Sequence, residues 1–448
     1  MSPAYDTDRL EHALQTWRHK LIEPTEKGFA ALGPVTPAEL VERKVSLHDD
    51  QVTFPLMVIK ESALTSNVAT LAAWCGERGV RLAPHGKTTM SPELIGRQLA
   101  AGAWGVTAAT IGQVRSFVEF GVRRVLLANQ LVDPAGIAWL ASAANADPAL
   151  SVICYIDSLE GVGLLDQELS RAGFRGRLPV LVELGVPGRR TGARSATTAL
   201  EVARAAARTA TLGVVGASGY EGVLGHSRTP DMLAAVAQFC RDVRSLAREL
   251  RSQDLIDVDV VSQVDEEADV LVSAGGSTYF DVVARELADG DGAQANDEGG
   301  ARVVAILRSG GYVTHDDGLY AVDTPLPTGG SPHELRAALE VWAHVLSRPE
   351  PGRALVGAGR RDLPFDAGLP IVRRVVSARG SERPVDGITV TALNDQHAFL
   401  DVAAEAVLEP GDRVGFGISH PCTAFDKWRV IPIVDDDYVI VDVAHTLF

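Results

Sequence analysis

From about residue 50 the chain alternates short apolar runs with longer amphipathic stretches, and this rhythm narrows the possible folds more than any other feature. The apolar runs fall at 55–59, 81–84, 105–109, 125–128, 152–156, 179–184, 213–217 and 269–273. Between most of them lie Ala-, Leu-, Arg- and Glu-rich segments with helical periodicity, as at 62–78, 112–120 and 232–250. Eight strand-then-helix repeats fit an α/β fold of the (β/α)8 barrel type better than an open doubly wound sheet. The apolar run 255–264 is a surplus strand candidate.

The polar, acidic, Gly-rich stretch 288–300 reads as a linker. Beyond it the rhythm changes to strand-like runs at 303–307, 371–376, 388–393, 414–418, 430–434 and 438–443, with turn residues such as Asp386-Gly387 between them. One helical interruption is expected at 333–346. The expected organisation is an N-terminal extension over 1–45, a barrel over 46–300 and a mostly β domain over 301–448. The extension is amphipathic and could pack on either part.

A length of 448 residues favours more than one domain. The formal net charge of −16 disfavours nucleic acid or an anionic membrane as partner. Four scattered cysteines, Cys75, Cys154, Cys240 and Cys422, do not make a disulfide framework. Residues 1–6 lack the basic start of a signal peptide, and no uncharged apolar run reaches membrane-spanning length, so a cytoplasmic protein is expected.

Several motifs carry chemistry. Lys87, in Pro84-His85-Gly86-Lys87-Thr88-Thr89, follows a strand-like run, and the C-terminal strand ends of a barrel face its active site. There burial and cationic neighbours make an amine a usable nucleophile. Ser273-Ala274-Gly275-Gly276-Ser277-Thr278 joins a strand to a helix, so its backbone N–H groups could cradle an anion, although an ordinary capped turn reads the same way. The Gly-rich stretch from Glu183 to Gly192 presents Arg189 and Arg190, either solvated or aimed at a cofactor ring or carboxylate. Tyr220, in Tyr220-Glu221-Gly222, is a hydrogen-bonding or packing residue at a strand end. His420 and Cys422, two apart and able to share one side of a strand, combine an imidazole with a thiolate, a donor set that suits zinc. His397 is a further polar group for that region. No Walker-type lysine motif or strand-linked G-x-G-x-x-G supports nucleotide binding.

Taken in order, PHGKTT, ELGVPGRRTG, GYEG, SAGGST, RSGGYV, NDQH and SHPCTAFDKW resemble the metal-dependent D-serine dehydratase and low-specificity D-threonine aldolase family, from about residue 55 to the C-terminus. These are fold-type III pyridoxal phosphate enzymes related to alanine racemase. The resemblance implies that Lys87 binds the cofactor covalently and is the catalytic base. It makes Gly275, Gly276, Ser277 and Thr278 the phosphate cradle, with Arg190 and Tyr220 beside the cofactor ring. It also implies a Zn2+ ion on His420 and Cys422, substrate-side roles for His85, Tyr312 and His397, and a homodimer. Two departures bear on the substrate: Thr89-Met90 stands where many relatives have a histidine-lysine pair, and Asn394-Asp395-Gln396 where acidic residues are common.

The implied reaction is dehydration of a small β-hydroxy D-amino acid such as D-serine or D-threonine to a 2-oxo acid and ammonia. The alternative on the same scaffold is retro-aldol cleavage to glycine and an aldehyde. The family's aldolases tend to carry His-x-Asp where this chain has His420-x-Cys422, which favours the dehydratase. A non-catalytic cofactor-binding protein of the single-barrel type would lack the β domain, and a racemase would need no metal.

Overall fold

A computed structural model describes residues 3–288, 302–326 and 333–448. The expected linker lies, from residue 289 on, outside the described residues. The chain divides into two compact units: Met1–Leu10, Leu71–Lys87 and Gln98–Gly310 form the first, and Glu11–Thr70, Thr88–Arg97 and Gly311–Phe448 the second.

The first unit is built on an eight-stranded parallel sheet. With β1 (Leu56–Lys60) elsewhere, its strands are β2 (Arg81–Leu82), β3 (Val106–Ala108), β4 (Arg124–Gln130) and β5 (Ser151–Ile156), followed by β6 (Leu178–Leu184), β7 (Leu212–Gly219), β8 (Val270–Ala274) and β9 (Val303–Leu307). They lie in the order β2-β9-β8-β7-β6-β5-β4-β3. The two ends of that order meet: His85 bridges Thr107, the Thr107 N–H donates to the Pro84 carbonyl at 2.9 Å, and the Trp104 N–H donates to the Leu82 carbonyl at 2.7 Å. The sheet therefore closes into the expected barrel. β6 and β7 are buried at every position, which explains why they read as continuous apolar runs without alternation.

Outer helices obey the same local rules. Thr229 caps Pro230–Ser252, proline occupies its first turn, and Val236, Phe239, Cys240, Val243, Leu246, Ala247 and Leu250 form one buried stripe. Inside the barrel wall, a Cβ on Gly216 would lie 1.8 Å from the Leu271 carbonyl oxygen. Only glycine lets β7 and β8 approach this closely.

The second unit contains a ten-stranded sheet, mostly antiparallel. Its strands are β1, β10 (Leu339–Glu350), β11 (Arg353–Val356), β12 (Ile371–Val376) and β13 (Glu382–Arg383), then β14 (Ile388–Leu393), β15 (Ala398–Val402), β16 (Arg413–Gly417), β17 (Val430–Val434) and β18 (Ile440–His445). The main path runs β13-β12-β16-β10-β1-β17-β18, and β11, β15 and β14 continue from β10. Phe29, Leu32, Val35, Leu40 and Val45 of the N-terminal extension, with Leu47 just beyond it, join this unit's core with Met57, Trp342, Phe416 and Trp428. Tyr5, by contrast, bridges Val122 in the first unit.

Four strand expectations change. The run at 55–59 is not a barrel strand: β1 pairs antiparallel with β10 and parallel with β17. The run at 303–307 is not a strand of the β domain but closes the barrel count as β9, between β8 and β2. Both are fully apolar, and such runs do not reveal which sheet receives them. The surplus run contains a helix, Val258–Val264, capped by the Asp257 side chain. The helix expected at 333–346 gives way to β10 from Leu339 onward, because pairing with β1 and β16 on both sides overrides the helix propensity of its Ala, Leu and Glu residues. Among the described residues no helix is long and apolar enough to cross a membrane.

Gly216→Ala forces a methyl group into a backbone carbonyl, and a loss of about 3 kcal/mol of stability is expected in denaturant unfolding. An unchanged midpoint would show that β7 and β8 can separate to admit it.

Candidate active site

In the first unit the chemistry-bearing residues sit at the C-terminal ends of the barrel strands. Leu82 ends β2, and the short turn Gly86–Thr88 then presents Lys87 with its side chain exposed. His85, just before that turn, donates its backbone N–H to the Arg308 carbonyl at 3.2 Å. Burial first, then the positive charges of Lys87 and Arg308, hold the His85 imidazole well below its usual pKa, with Arg190 adding a smaller push. His85 is therefore neutral at neutral pH. Three cations thus converge on one imidazole in a chain of net charge −16.

Arg308, directly after β9, is locked in place: it donates to Ser273 Oγ at 2.7 Å and to the Gly219 carbonyl at 2.8 Å. The Arg190 guanidinium stacks 4.7 Å over the Tyr220 ring. Tyr220 in turn lies against Gly276, where an added Cβ would come within 3.2 Å of the ring. Ser309 Oγ donates to the Gly276 carbonyl at 2.8 Å. Glu183, at the end of β6, accepts from Gln130 at 2.7 Å. Burial raises its pKa, opposed by the hydrogen bonds of Gln130 and Thr191. Among the described residues, His85 Nδ1 and Gln130 Oε1 are buried without a hydrogen-bond partner. Unpaired polar atoms beside clustered cations fit pyridoxal phosphate, which brings polar ring substituents and a phosphate dianion.

The Gly275–Thr278 loop differs from a simple anion cradle. Gly275, at φ +112°, and Gly276 donate their N–H groups to Glu221 Oε2 and Oε1, at 3.0 and 2.6 Å. Two of the four N–H groups of the expected cradle are thus held by a protein carboxylate.

The second unit holds His420 and Cys422, the pair expected to bind metal. His420 and Cys422 do not share a strand, since β16 ends at Gly417 and Cys422 opens a short helix, Cys422–Phe425. The two interact all the same, the Cys422 side chain being among the groups that raise the His420 pKa. Burial lowers the His420 pKa, but the Cys422 and Asp366 partners outweigh it and push it up to about 9. His420 Nδ1 lies 2.6 Å from Asp366 Oδ2, and Thr423 donates to Asp366 Oδ1 at 2.5 Å. Thr88 Oγ1 approaches Cys422 Sγ at 3.5 Å, and the Tyr320 ring meets the His420 ring edge-on at 6.0 Å.

Among the described residues no three His, Cys, Asp or Glu side chains are grouped as a metal cage. A thiol and an imidazole whose second nitrogen is held by a carboxylate nevertheless fit zinc with open positions for a substrate oxygen. Of the other expected residues, Tyr312 is buried in the turn Gly311–Val313. His397 is exposed in the β14–β15 turn, where its carbonyl accepts from the Asn394 N–H, and among the described residues it makes no bond to His420 or Cys422.

Arg308, Glu221 and Asp366 were not singled out by sequence reasoning. Arg308 lies within the quoted RSGGYV motif and Glu221 within GYEG, so position at a strand end was the available signal. Asp366 had none, being 54 residues from His420.

Two predictions follow from this geometry. Asp366→Asn should weaken zinc binding roughly 10- to 100-fold in chelator competition, and equal affinity would deny Asp366 its orienting role. Asp316 is 1% exposed, and burial raises its carboxyl from 3.8 to about 7. Between those values the folded protein binds more protons than the unfolded chain, so stability falls as pH rises through that window. Asp316→Asn should remove this fall, at about 1.4 kcal/mol per pH unit. Parallel pH–stability curves for the two proteins would contradict it.

Comparison with known proteins agrees with these arrangements. Residues 338–434 match the family described as "Putative serine dehydratase domain". A D-threonine aldolase from Arthrobacter sp. is 28% identical over 389 residues, covering 86% of each chain. The structure of D-threonine aldolase from Filomicrobium marinum superposes with a TM-score of 0.71 at 23% identity, covering 90% of this chain and 96% of that one. D-threo-3-hydroxyaspartate dehydratase from Delftia sp. HT23 gives 0.67 at 22% identity, covering 90% and 99%. By sequence over most of its length the chain is thus similar to D-threonine and 3-hydroxy-D-aspartate aldolases, and its fold is the alanine racemase-like one, a barrel with a β domain.

Proposed function

We propose that the chain is a dehydratase converting a β-hydroxy D-amino acid, such as D-serine or D-threonine, to a 2-oxo acid and ammonia, with pyridoxal phosphate and zinc as cofactors. The observation that carries this reading is the thiol–imidazole pair Cys422–His420 with Asp366 fixing the imidazole. Hydroxide is a poor leaving group, and a soft donor pair with open positions suits an ion that accepts it. A mutant of a D-threo-3-hydroxyaspartate dehydratase is known in a metal-free form, which accords with a metal in that protein.

When bound, the two cofactors supply an electron sink for the substrate α-carbanion and a Lewis acid for its β-oxygen. The chain's own residues do the rest. Lys87 Nζ takes the α-proton and passes it to the departing β-hydroxyl, which leaves as water. The charges of Arg190 and Arg308 favour the substrate carboxylate and the cofactor phosphate. Neutral His85 offers a hydrogen-bonding edge without adding a further charge. Loss of the α-proton and β-hydroxyl removes one water from the substrate; hydrolysis of the resulting enamine consumes one water and yields the 2-oxo acid and ammonia.

A second reading, retro-aldol cleavage to glycine and an aldehyde, is favoured by the full-length likeness to aldolases, including 3-hydroxy-D-aspartate aldolase of Paracoccus denitrificans (strain Pd 1222), 24% identical over 394 residues. The hydroxyaspartate dehydratase likeness is higher, 35%, but spans only 74 residues. We further propose a cytoplasmic homodimer that acts on small molecules and binds neither nucleic acid nor membranes, in keeping with its acidic charge.

The test supplies pyridoxal phosphate and zinc and offers a panel of D-serine, D-threonine and 3-hydroxyaspartate. Chelator-sensitive 2-oxo acid with equimolar ammonia is expected, and Cys422→Ala should abolish it while retaining cofactor absorbance. Aldehyde plus glycine would make the enzyme an aldolase.

A further inference from the structure

We infer that Glu221 is a positioning residue that holds the Gly275–Gly276 turn so that the cofactor phosphate meets the next two residues, Ser277 and Thr278, instead of the glycines. The inference deepens the cofactor reading above and rests on it. Successive N–H groups in a glycine turn form an anion-binding nest. In this turn the nest is filled from within the protein: Gly275 N–H donates to one Glu221 oxygen at 3.0 Å and Gly276 N–H to the other at 2.6 Å. The carboxylate is fully buried, at 0% exposure, on the turn Glu221–Val223 that follows β7. Three further contacts hold the same loop. Ser309 Oγ donates to the Gly276 carbonyl at 2.8 Å, the Tyr220 ring lies against Gly276, and Arg228 donates to the Thr278 carbonyl.

A buried carboxylate repels a phosphate dianion placed against it, so Glu221 does not attract the cofactor by charge. Its contribution is conformational. Bridging two consecutive N–H groups spares both a burial without partners and fixes the peptide planes that lead into Ser277 and Thr278. Gly275 supplies the positive φ, and the Glu221 carboxylate selects one conformation from the many that glycine permits.

This role predicts an effect confined to the phosphate. Wild type, Glu221→Ala and Glu221→Gln are titrated with pyridoxal phosphate and, separately, with pyridoxal, which lacks the phosphate, and bound cofactor is followed by its visible absorbance. Wild type is expected to prefer pyridoxal phosphate. Glu221→Ala should lose roughly tenfold or more of that preference with pyridoxal binding unchanged. Glu221→Gln keeps one acceptor oxygen and should show a smaller loss of the same kind, which carries the test if the alanine variant does not fold. Equal losses for both ligands would make Glu221 merely structural, and an unchanged preference would remove it from the site. A gain for pyridoxal phosphate would make the carboxylate a competitor for the nest; each result overturns the inference. A wild type that binds both ligands alike would instead sink the cofactor reading itself.

Discussion

The first unit depends on the pairing of its first and last barrel strands. β2 is two residues long, yet Arg81 and Leu82 stand in register with Ile306 and Leu307 of β9. The ladder continues past the strand: Ala83 N–H donates to the Leu307 carbonyl at 2.8 Å and His85 N–H to the Arg308 carbonyl at 3.2 Å. Backbone bonds, not side chains, thus bring the Lys87 loop beside Arg308. Arg81 anchors the outer end through Glu267 at 2.5 Å and Asp265 at 3.5 Å. With so short a strand, loss of this ladder would open the barrel and scatter the cations that converge on His85.

Polar groups at the candidate sites are organised by residues that themselves take no part in chemistry. Ser273 and Gly219 hold Arg308, Glu221 holds the glycine turn, and Asp366 holds His420. The bonds to Arg308 and to the glycine turn lie in buried or part-buried settings, where such a bond is strong and its loss expensive, whereas Asp366 holds His420 from an exposed position. Groups held in this way before a ligand arrives need little reorganisation, which is how a preformed electrostatic site lowers a barrier.

How much of this was legible in the sequence depended on the kind of residue. Lys87, Arg190, Tyr220, His420 and Cys422 could be picked out as candidates because each stands in a short motif whose residues are close in sequence. The barrel was also legible, since its strands and helices alternate within about 20 residues of one another. Sheet membership was not. β1, apolar up to its last residue Lys60, and the apolar β9 are runs of the same length, and long-range pairing sends them to different sheets. β10 shows the same limit, with Leu339, Trp342 and Val345 spaced for a helix but paired on both sides as a strand. Asp366 was silent for a related reason: a carboxylate that orients a histidine from 54 residues away leaves no local pattern.

The cysteines differ sharply in setting. Cys75, Cys154 and Cys240 are buried, and burial drives their thiols up, to about 12 for the first two. Cys422 alone is partly open to solvent. A thiol-specific reagent applied to the folded protein therefore addresses a single sulfur, and a metal ion resting on it would shield it. Labelling stoichiometry then becomes a built-in gauge of metal occupancy, and the same selectivity makes that sulfur the point where oxidants first reach the protein.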